Sequence, residues 1–174
     1  GVLHFRPEKP LEGWPIWFLG FVVVGWLSLA TFGFWGNQDL KDAIGRKLDR
    51  SQPPSGEPVP RWFVGMARPS YRSILDPHED VGFLTIHVDE LEFFGDDLKL
   101  KLPWSTFNQV VKRANPHTLL GLGGWISLEG EGPDGNPIRL LIEPREHSFL
   151  PRNRGVRQRL LKELRAKVVD SPHA

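Results

Sequence analysis

The hydrophobic and polar positions of the chain divide it into one long apolar run and a region of short, alternating segments. Residues 14–35 (WPIWFLGFVVVGWLSLATFGFW) contain no charged side chain. A helix rises about 1.5 Å per residue, so a run of this length can cross the roughly 30 Å hydrocarbon core of a bilayer. A helix also satisfies its own backbone hydrogen bonds there. The run therefore predicts a single transmembrane helix, preceded by an N-terminal tail at residues 1–13.

Two other interpretations of the run stay open, a cleaved secretory signal and a buried core helix. A secretory signal has a basic start, a shorter apolar stretch and a small-x-small cleavage site. The run ends instead on Phe34 and Trp35, which suit a membrane interface. An uncleaved membrane anchor is therefore the preferred interpretation.

Basic residues beside the run predict its orientation. They are more frequent after the run than before it, at Lys41, Arg46, Lys47 and Arg50 against Arg6 and Lys9. This difference favours a C-terminal part in the cytoplasm. The chain has no cysteine, which fits a reducing compartment. The predicted location is the bacterial inner (cytoplasmic) membrane, with a single pass and a cytoplasmic soluble domain.

The apolar run has one aromatic face. When each residue is advanced by 100° around the helix axis, six aromatic and two small residues share an arc of roughly 100°. This face consists of Trp14, Trp17, Phe18, Phe21, Gly25, Ser28, Phe32 and Trp35. It predicts a packing surface for another helix, a lipid or a pigment, although tryptophan is common near membrane interfaces in any case. The run contains no ionisable ligand, so no cofactor held by dedicated ligands is expected.

Residues 36–60 predict a connection in two parts. Leu40, Ile44 and Leu48 recur at intervals of four among charged residues, which predicts an amphipathic helix at the membrane surface. Residues 51–60 (SQPPSGEPVP) contain four prolines and predict a semi-extended linker.

Residues 61–169 predict one domain built mainly of strands, followed by a short tail at residues 170–174. The predicted strands are 61–67, 82–88, 91–95, 98–102, 124–130 and 137–143. The Asp134-Gly135 pair predicts a hairpin turn between the last two. Residues 104–115 predict a short helix with Ser105 as its N-cap. A closing amphipathic helix is predicted from Asn153 onward, with its apolar side against the sheet.

The order of these elements resembles the pleckstrin-homology-like fold, including bacterial PH-like and GRAM-like domains. The resemblance covers residues 61–169 and rests on the segment GFLTIHVDELEFFGDDLKLKLPWSTFNQVV, the tryptophan-containing hairpin after it and the C-terminal helix. It implies an antiparallel β-sandwich or partly open barrel, capped by the helix, that binds lipids, peptides or proteins and seldom catalyses reactions. The expected fold class is thus one transmembrane helix joined to an α+β PH-like domain.

The distribution of charge along the sequence bears on whether the domain binds lipid or protein. Lipid-reading members of the PH-like family carry a basic cluster in the first hairpin loop, whereas the turns here carry Asp89, Glu90, Asp96 and Asp97. Basic residues concentrate on the closing helix instead, where Arg159, Lys162 and Arg165 are candidates for contact with anionic lipid or an acidic partner. A solvated helix face is the alternative. The net charge of +1 gives no reason to expect nucleic-acid binding.

No residue pattern indicates a catalytic or metal site. Residues 76–80 (DPHED), the pair of His87 and Asp89, and the adjacent His147 and Ser148 have side chains of suitable chemistry. Their spacings match no recognised metal site or nucleophile arrangement. The glycines of residues 121–124 lack the lysine and helix of a phosphate-binding loop. The protein is therefore not expected to be an enzyme.

Three functions follow from the sequence as hypotheses. The first is a non-enzymatic accessory or assembly subunit of a larger bacterial membrane complex, of a respiratory or photosynthetic kind, held by the aromatic helix face and a protein-binding PH-like domain. Its expected partners are other membrane protein subunits and membrane lipids. The second is a membrane-anchored module that reads anionic lipid headgroups. The third is an enzyme, for which no nucleophile can be named.

Overall fold

The computed structural model describes residues 14–31, 36–51, 59–71, 78–132 and 134–170. Two helices come first, α1 (Trp14–Thr31) and α2 (Asn37–Ser51), and a third, α3 (Asn153–Asp170), closes the chain. Between them the described residues form seven strands: β1 (Arg61–Ala67), β2 (Asp80–Ile86), β3 (Glu90–Gly95), β4 (Lys99–Pro103), β5 (Phe107–Arg113), β6 (Trp125–Glu131) and β7 (Pro137–Pro144). Short 3₁₀ helices occupy Trp104–Thr106, Pro116–Leu120 and Leu150–Arg152.

The strands form one antiparallel sheet in the order β4-β3-β2-β1-β7-β6-β5. The first four strands are a meander, and β7 then pairs with β1 so that the last three strands continue the sheet on its other side. A bulge between Phe107 and Gln109 interrupts the pairing of β5 with β6. Among the described residues, β4 and β5 are therefore the two edges of the sheet.

The main core lies between the inner face of the sheet and α3. The apolar side of α3 is buried there through Leu160, Leu161, Leu164 and Val168. Trp104, next to β5, is 2% exposed in the same core, and its indole Nε1 donates a hydrogen bond to the carbonyl oxygen of His87 at 3.1 Å. The indole thus fills the core and satisfies its one polar group. All six predicted strands and the closing helix are confirmed.

A second, smaller core lies on the outer face of the sheet. Ile44 and Leu48 of α2 are buried there against Phe63, Val81 and Phe94. Lys47 also contacts Asp96, and Asp49 pairs with Arg61 at 3.2 Å. The apolar side of α2 is thus covered by the sheet rather than by a membrane surface.

The predicted fold class is wrong in its membrane-spanning helix. None of the helices in the described part of the chain is both long enough and apolar enough to cross a membrane. Helix α1 covers 18 of the 22 residues of the predicted span, and residues 32–35 lie outside the described part of the chain. Pro15, Gly20, Gly25 and Ser28 also reduce its apolar character.

The helix predicted at residues 104–115 is also wrong. A single 3₁₀ turn at Trp104–Thr106 is followed at once by strand β5, and Ser105 caps no α-helix. The β-branched Val110 and Val111 fit a strand, and residues 107–113 form a ladder with β6. Pairing with β6 therefore overrides the local helix signal.

Candidate functional site

Helix α1 presents an exposed apolar surface. Twelve of its 18 residues are large and hydrophobic, and Trp17 and Phe21 are 81% and 77% exposed. Valines at positions 22, 23 and 24 and Leu19 are exposed as well, so the apolar surface surrounds the helix. A helix that is hydrophobic all round is normally buried in a larger structure. A contiguous apolar surface of this kind marks an interaction site.

The structure places most of the predicted packing face on α1. Trp14, Trp17, Phe18, Phe21, Gly25 and Ser28 belong to the helix. Phe32 and Trp35 lie outside the described residues. The rings of Trp14 and Phe18 are in contact at 6.1 Å between centroids, and an added Cβ at Gly25 would meet nothing within 4 Å. The space beside Gly25 is therefore open.

The C-terminal end of α1 is attached to the sheet domain. Trp26 packs edge-on against Phe149, with 6.3 Å between ring centroids. Ala30 is fully buried in a small cluster with Leu122 and Leu150. The first part of α1 makes no such cluster in the described structure, so the helix is held at one end and exposed along most of its length.

A cleft of about 730 Å³ opens between the two edges of the sheet. Its floor is aliphatic and is formed by Met66, Leu98, Leu100, Leu102, Ile138 and Leu140. Its rim is polar and includes Arg68, Asn108, Glu131 and Arg139. Apolar clefts of roughly 300–1,000 Å³ with a few polar groups are typical of ligand sites.

A buried polar network lies around the carboxylate of Glu143 on β7, which is 2% exposed. Oε2 of Glu143 is 3.1 Å from Nε2 of His78 and 3.2 Å from Nδ1 of His117. Oε1 accepts hydrogen bonds from the side-chain amide of Asn115 at 2.9 Å and from the backbone N–H of Gly124 at 3.1 Å. Both carboxylate oxygens are thus satisfied inside the protein.

The environment of Glu143 sets its ionisation. Burial by itself raises the pKa of Glu143, but hydrogen bonds and charge from His117 and His78 outweigh this effect and hold the pKa below the usual carboxyl range. Arg145 lies 3.4 Å from Nδ1 of His78 and donates to the side chain of Asn37 at 3.2 Å. The network therefore connects the start of α2 to the sheet.

A second charged cluster lies on the outer face of β5, β6 and β7. Glu129 accepts hydrogen bonds from Nε of Arg113 at 2.6 Å and from the hydroxyl of Ser127 at 2.7 Å, and Nε of Arg139 is 3.2 Å away. The hydrogen bonds from Arg113 and Ser127, with the charges of the two arginines, lower the pKa of Glu129 to about 2.

We expect Arg113→Ala to raise the pKa of Glu129 towards its ordinary value of about 4.5, because Arg113 is the largest cause of the lowering. In the unaltered protein the stabilisation from ionised Glu129 is complete above about pH 4.5 and is lost as the pH falls towards 2. NMR titration of the Glu129 carboxyl carbon measures the pKa directly. Arg139→Ala, which removes a weaker charge effect, serves as the comparison and should give a smaller rise. An unchanged pKa in Arg113→Ala would contradict the assignment.

The predicted basic residues of α3 are all exposed, but two of them contact the protein. The guanidinium of Arg159 lies 5.8 Å from the centre of the Trp62 ring, and Nε of Arg165 donates to the carbonyl oxygen of Val110 at 3.1 Å. Lys162 is exposed on the same helix. Arg159 and Arg165 therefore help to hold α3 in place, whereas Lys162 makes no hydrogen bond or ion pair with another described residue.

The acidic and histidine residues of the DPHED segment do not converge. His78 joins the Glu143 network, whereas Glu79 pairs with Arg68. Asp80 accepts hydrogen bonds from backbone N–H groups of the β3–β4 turn, among them that of Leu98 at 2.7 Å. Asp76 lies outside the described residues. Within the described residues no group of three or more His, Cys, Asp or Glu side chains is arranged to hold a metal ion.

The other paired groups are also used within the fold. His87 contacts Glu92 at 3.0 Å instead of Asp89. The side chain of Asn153 accepts a hydrogen bond from the backbone N–H of His147 and donates one to its carbonyl oxygen. Sequence reasoning missed Glu143 and His117 altogether. A signal of their environment is glycine at position 123, where an added Cβ would lie 2.2 Å from Oε1 of Glu143.

Comparison of the sequence with protein-family models and with curated proteins found no match.

Proposed function

We propose that this protein is a non-enzymatic accessory subunit of a larger protein complex, and that α1 is the element that the complex buries. The observation that supports this proposal is the apolar surface around α1, exposed over most of its length. Burial of apolar surface contributes about 25 cal/mol per Å², so a helix of this kind gains substantially from a protein partner. The proposed complex is a respiratory or photosynthetic one at the bacterial inner membrane.

We propose further that the sheet domain is a PH-like protein-binding module. Its strand order, a four-stranded meander followed by three strands and a closing helix, supports this proposal. The attachment of α1 through Trp26 and Ala30 supports it too, because a partner that buries α1 also meets the domain at a fixed place.

The test is the size at which the protein migrates after mild-detergent extraction from its native cells. We expect the unaltered chain to co-migrate with a defined large complex. Replacing Trp17 and Phe21 together by Asp should release it, because two charges on the exposed apolar surface cannot be buried without a large desolvation cost. The altered chain should then migrate near its own mass of 19.8 kDa.

The matched control is Arg46→Glu on α2, which changes charge at an exposed position outside α1. It should leave co-migration unchanged, and neither variant should alter the thermal unfolding of the sheet domain by more than a few degrees. An unaltered chain that migrates as a free protein would contradict the proposed function.

The reading of anionic lipid headgroups by Arg159, Lys162 and Arg165 is the alternative proposal. All three side chains are exposed on α3, which supports it. The contacts of Arg159 with Trp62 and of Arg165 with Val110 give those two residues a role in holding α3, and thus favour the protein-binding proposal.

A further inference from the structure

The edge of β4 has backbone groups that face away from the rest of the sheet. Among the described residues, β4 pairs only with β3. The N–H of Gly95 donates to the carbonyl oxygen of Leu98 at 2.7 Å, so this pair is hydrogen-bonded. Hydrogen-bonded and non-hydrogen-bonded pairs alternate along an antiparallel ladder. The backbone groups of Lys99 and Lys101 therefore point to the open edge beside the cleft.

The side chains of β4 alternate in chemistry as well. Leu98, Leu100 and Leu102 line the floor of the cleft, while the lysines lie on the opposite face. Lys101 is within 3.4 Å of Glu90. The ammonium group of Lys99 lies 4.5 Å from the centre of the Phe94 ring, and it forms no ion pair with a residue of the described structure. Lys99 is thus an exposed cation at a strand edge.

We propose that an extended acidic segment of a partner protein adds to β4 as an eighth strand. Its backbone would pair with Lys99 and Lys101, its apolar side chains would enter the cleft, and its alternate acidic side chains would lie beside Lys99. Strand addition of this kind obtains affinity from main-chain hydrogen bonds and specificity from pockets for alternate side chains. Opposite charges side by side on neighbouring strands are favourable.

A peptide strand fits this site better than an acyl chain does. An acyl chain would use the aliphatic floor of the cleft but neither the free backbone groups of β4 nor the charge of Lys99. This inference rests on the proposed function, because that function gives the sheet domain a protein partner. It concerns a different surface from α1, however, and the two can fail separately.

The experiment selects random 12-residue peptides, displayed on phage, for binding to the protein. Phage that bind the Lys101→Pro variant are removed before the selection. Proline removes the N–H that faces the open edge and leaves the pairing of β4 with β3 intact. Subtraction also removes peptides that bind the apolar surface of α1. We expect the enriched peptides to alternate apolar residues with Asp or Glu.

Binding of the selected peptides, resynthesised and labelled, then tests the site. Lys101→Ala, the matched control, keeps the N–H and should bind within about threefold of the unaltered protein, whereas Lys101→Pro should bind about tenfold more weakly. Lys99→Glu should weaken binding by about fivefold through charge reversal. If circular dichroism shows that Lys101→Pro is unfolded, the Lys99→Glu variant still tests the proposal.

Several outcomes would overturn the proposal. They are no enrichment after subtraction, enriched peptides without acidic alternation, and binding that is unaffected by both Lys99→Glu and Lys101→Pro. Displacement of the peptides by the fluorescent fatty acid cis-parinaric acid, bound equally by the unaltered and Lys101→Pro proteins, would assign the cleft to acyl chains instead. The protein with Trp17 and Phe21 replaced by Asp should still bind the peptides. Peptide binding at β4 and burial of α1 in a complex are therefore tested independently of each other.

Discussion

Glu143→Ala is expected to lower the free energy of unfolding by about 3–5 kcal/mol, the range for removing one partner from a buried charged pair. The substitution leaves the ring nitrogens of His78 and His117 without the carboxylate that they face. It also leaves the amide of Asn115 and the N–H of Gly124 without their acceptor. Urea denaturation followed by circular dichroism measures the change.

Two further variants define what Glu143 contributes. Glu143→Gln keeps the size of the side chain and an oxygen for Asn115 and Gly124, so it should cost less than Glu143→Ala. Glu131→Ala, at an exposed position of β6, is the control and should stay within about 0.5 kcal/mol of the unaltered protein. A loss below about 1 kcal/mol in Glu143→Ala would show that the network adds little to stability.

The pH dependence of stability follows from the lowered pKa of Glu143. A carboxyl whose folded-state pKa lies below its unfolded value stabilises the protein fully above the unfolded value, near 4.5, and less as the pH falls through the folded pKa. The unaltered protein should therefore lose stability below about pH 4.5, and part of that loss should be absent from Glu143→Gln.

The Glu143 network shows why local patterns did not predict this site. His78 and Glu143 are separated by 65 positions and meet only because β1, β7 and the loop before β2 come together. Gly65 on β1 makes room for the contact, since an added Cβ would lie 2.0 Å from Cδ2 of His78. A sequence pattern gives the period of each strand but not which outward-facing residues a distant loop will cover.

The strands were predictable because their alternation and turn residues are local. Asp134 and Gly135 lie in the turn between β6 and β7, where Gly135 has a positive φ of 73° that favours glycine. Strand β5 was not predictable in this way, because Asn108 and Gln109 break the alternation at the bulge. Its strand conformation depends on pairing with β6.

The length of the apolar run was a poor guide to α1. A count of uncharged residues predicts a membrane span, but no helix among the described residues is both long enough and apolar enough to cross a membrane, and α1 includes proline and glycine. The periodicity of Leu40, Ile44 and Leu48 was a better guide, because it predicted an amphipathic helix, now confirmed as α2. Periodicity does not say what covers the apolar side, and here the sheet covers it.

The burial of α2 leads to the second large effect. Ile44→Ala should lower the free energy of unfolding by about 2–5 kcal/mol, because Ile44 is 2% exposed and its removal leaves a cavity against Phe63 and Phe94. Arg46→Ala, on the exposed side of the same helix, is the control and should change stability by no more than about 0.5 kcal/mol.

Denaturant unfolding followed by tryptophan fluorescence distinguishes an integral α2 from a loosely attached one. If α2 belongs to the cooperative unit, Ile44→Ala shifts a single transition to lower denaturant with an unchanged slope. Equal stability of Ile44→Ala and Arg46→Ala would mean that α2 docks too weakly on the sheet to contribute to the stability of the domain.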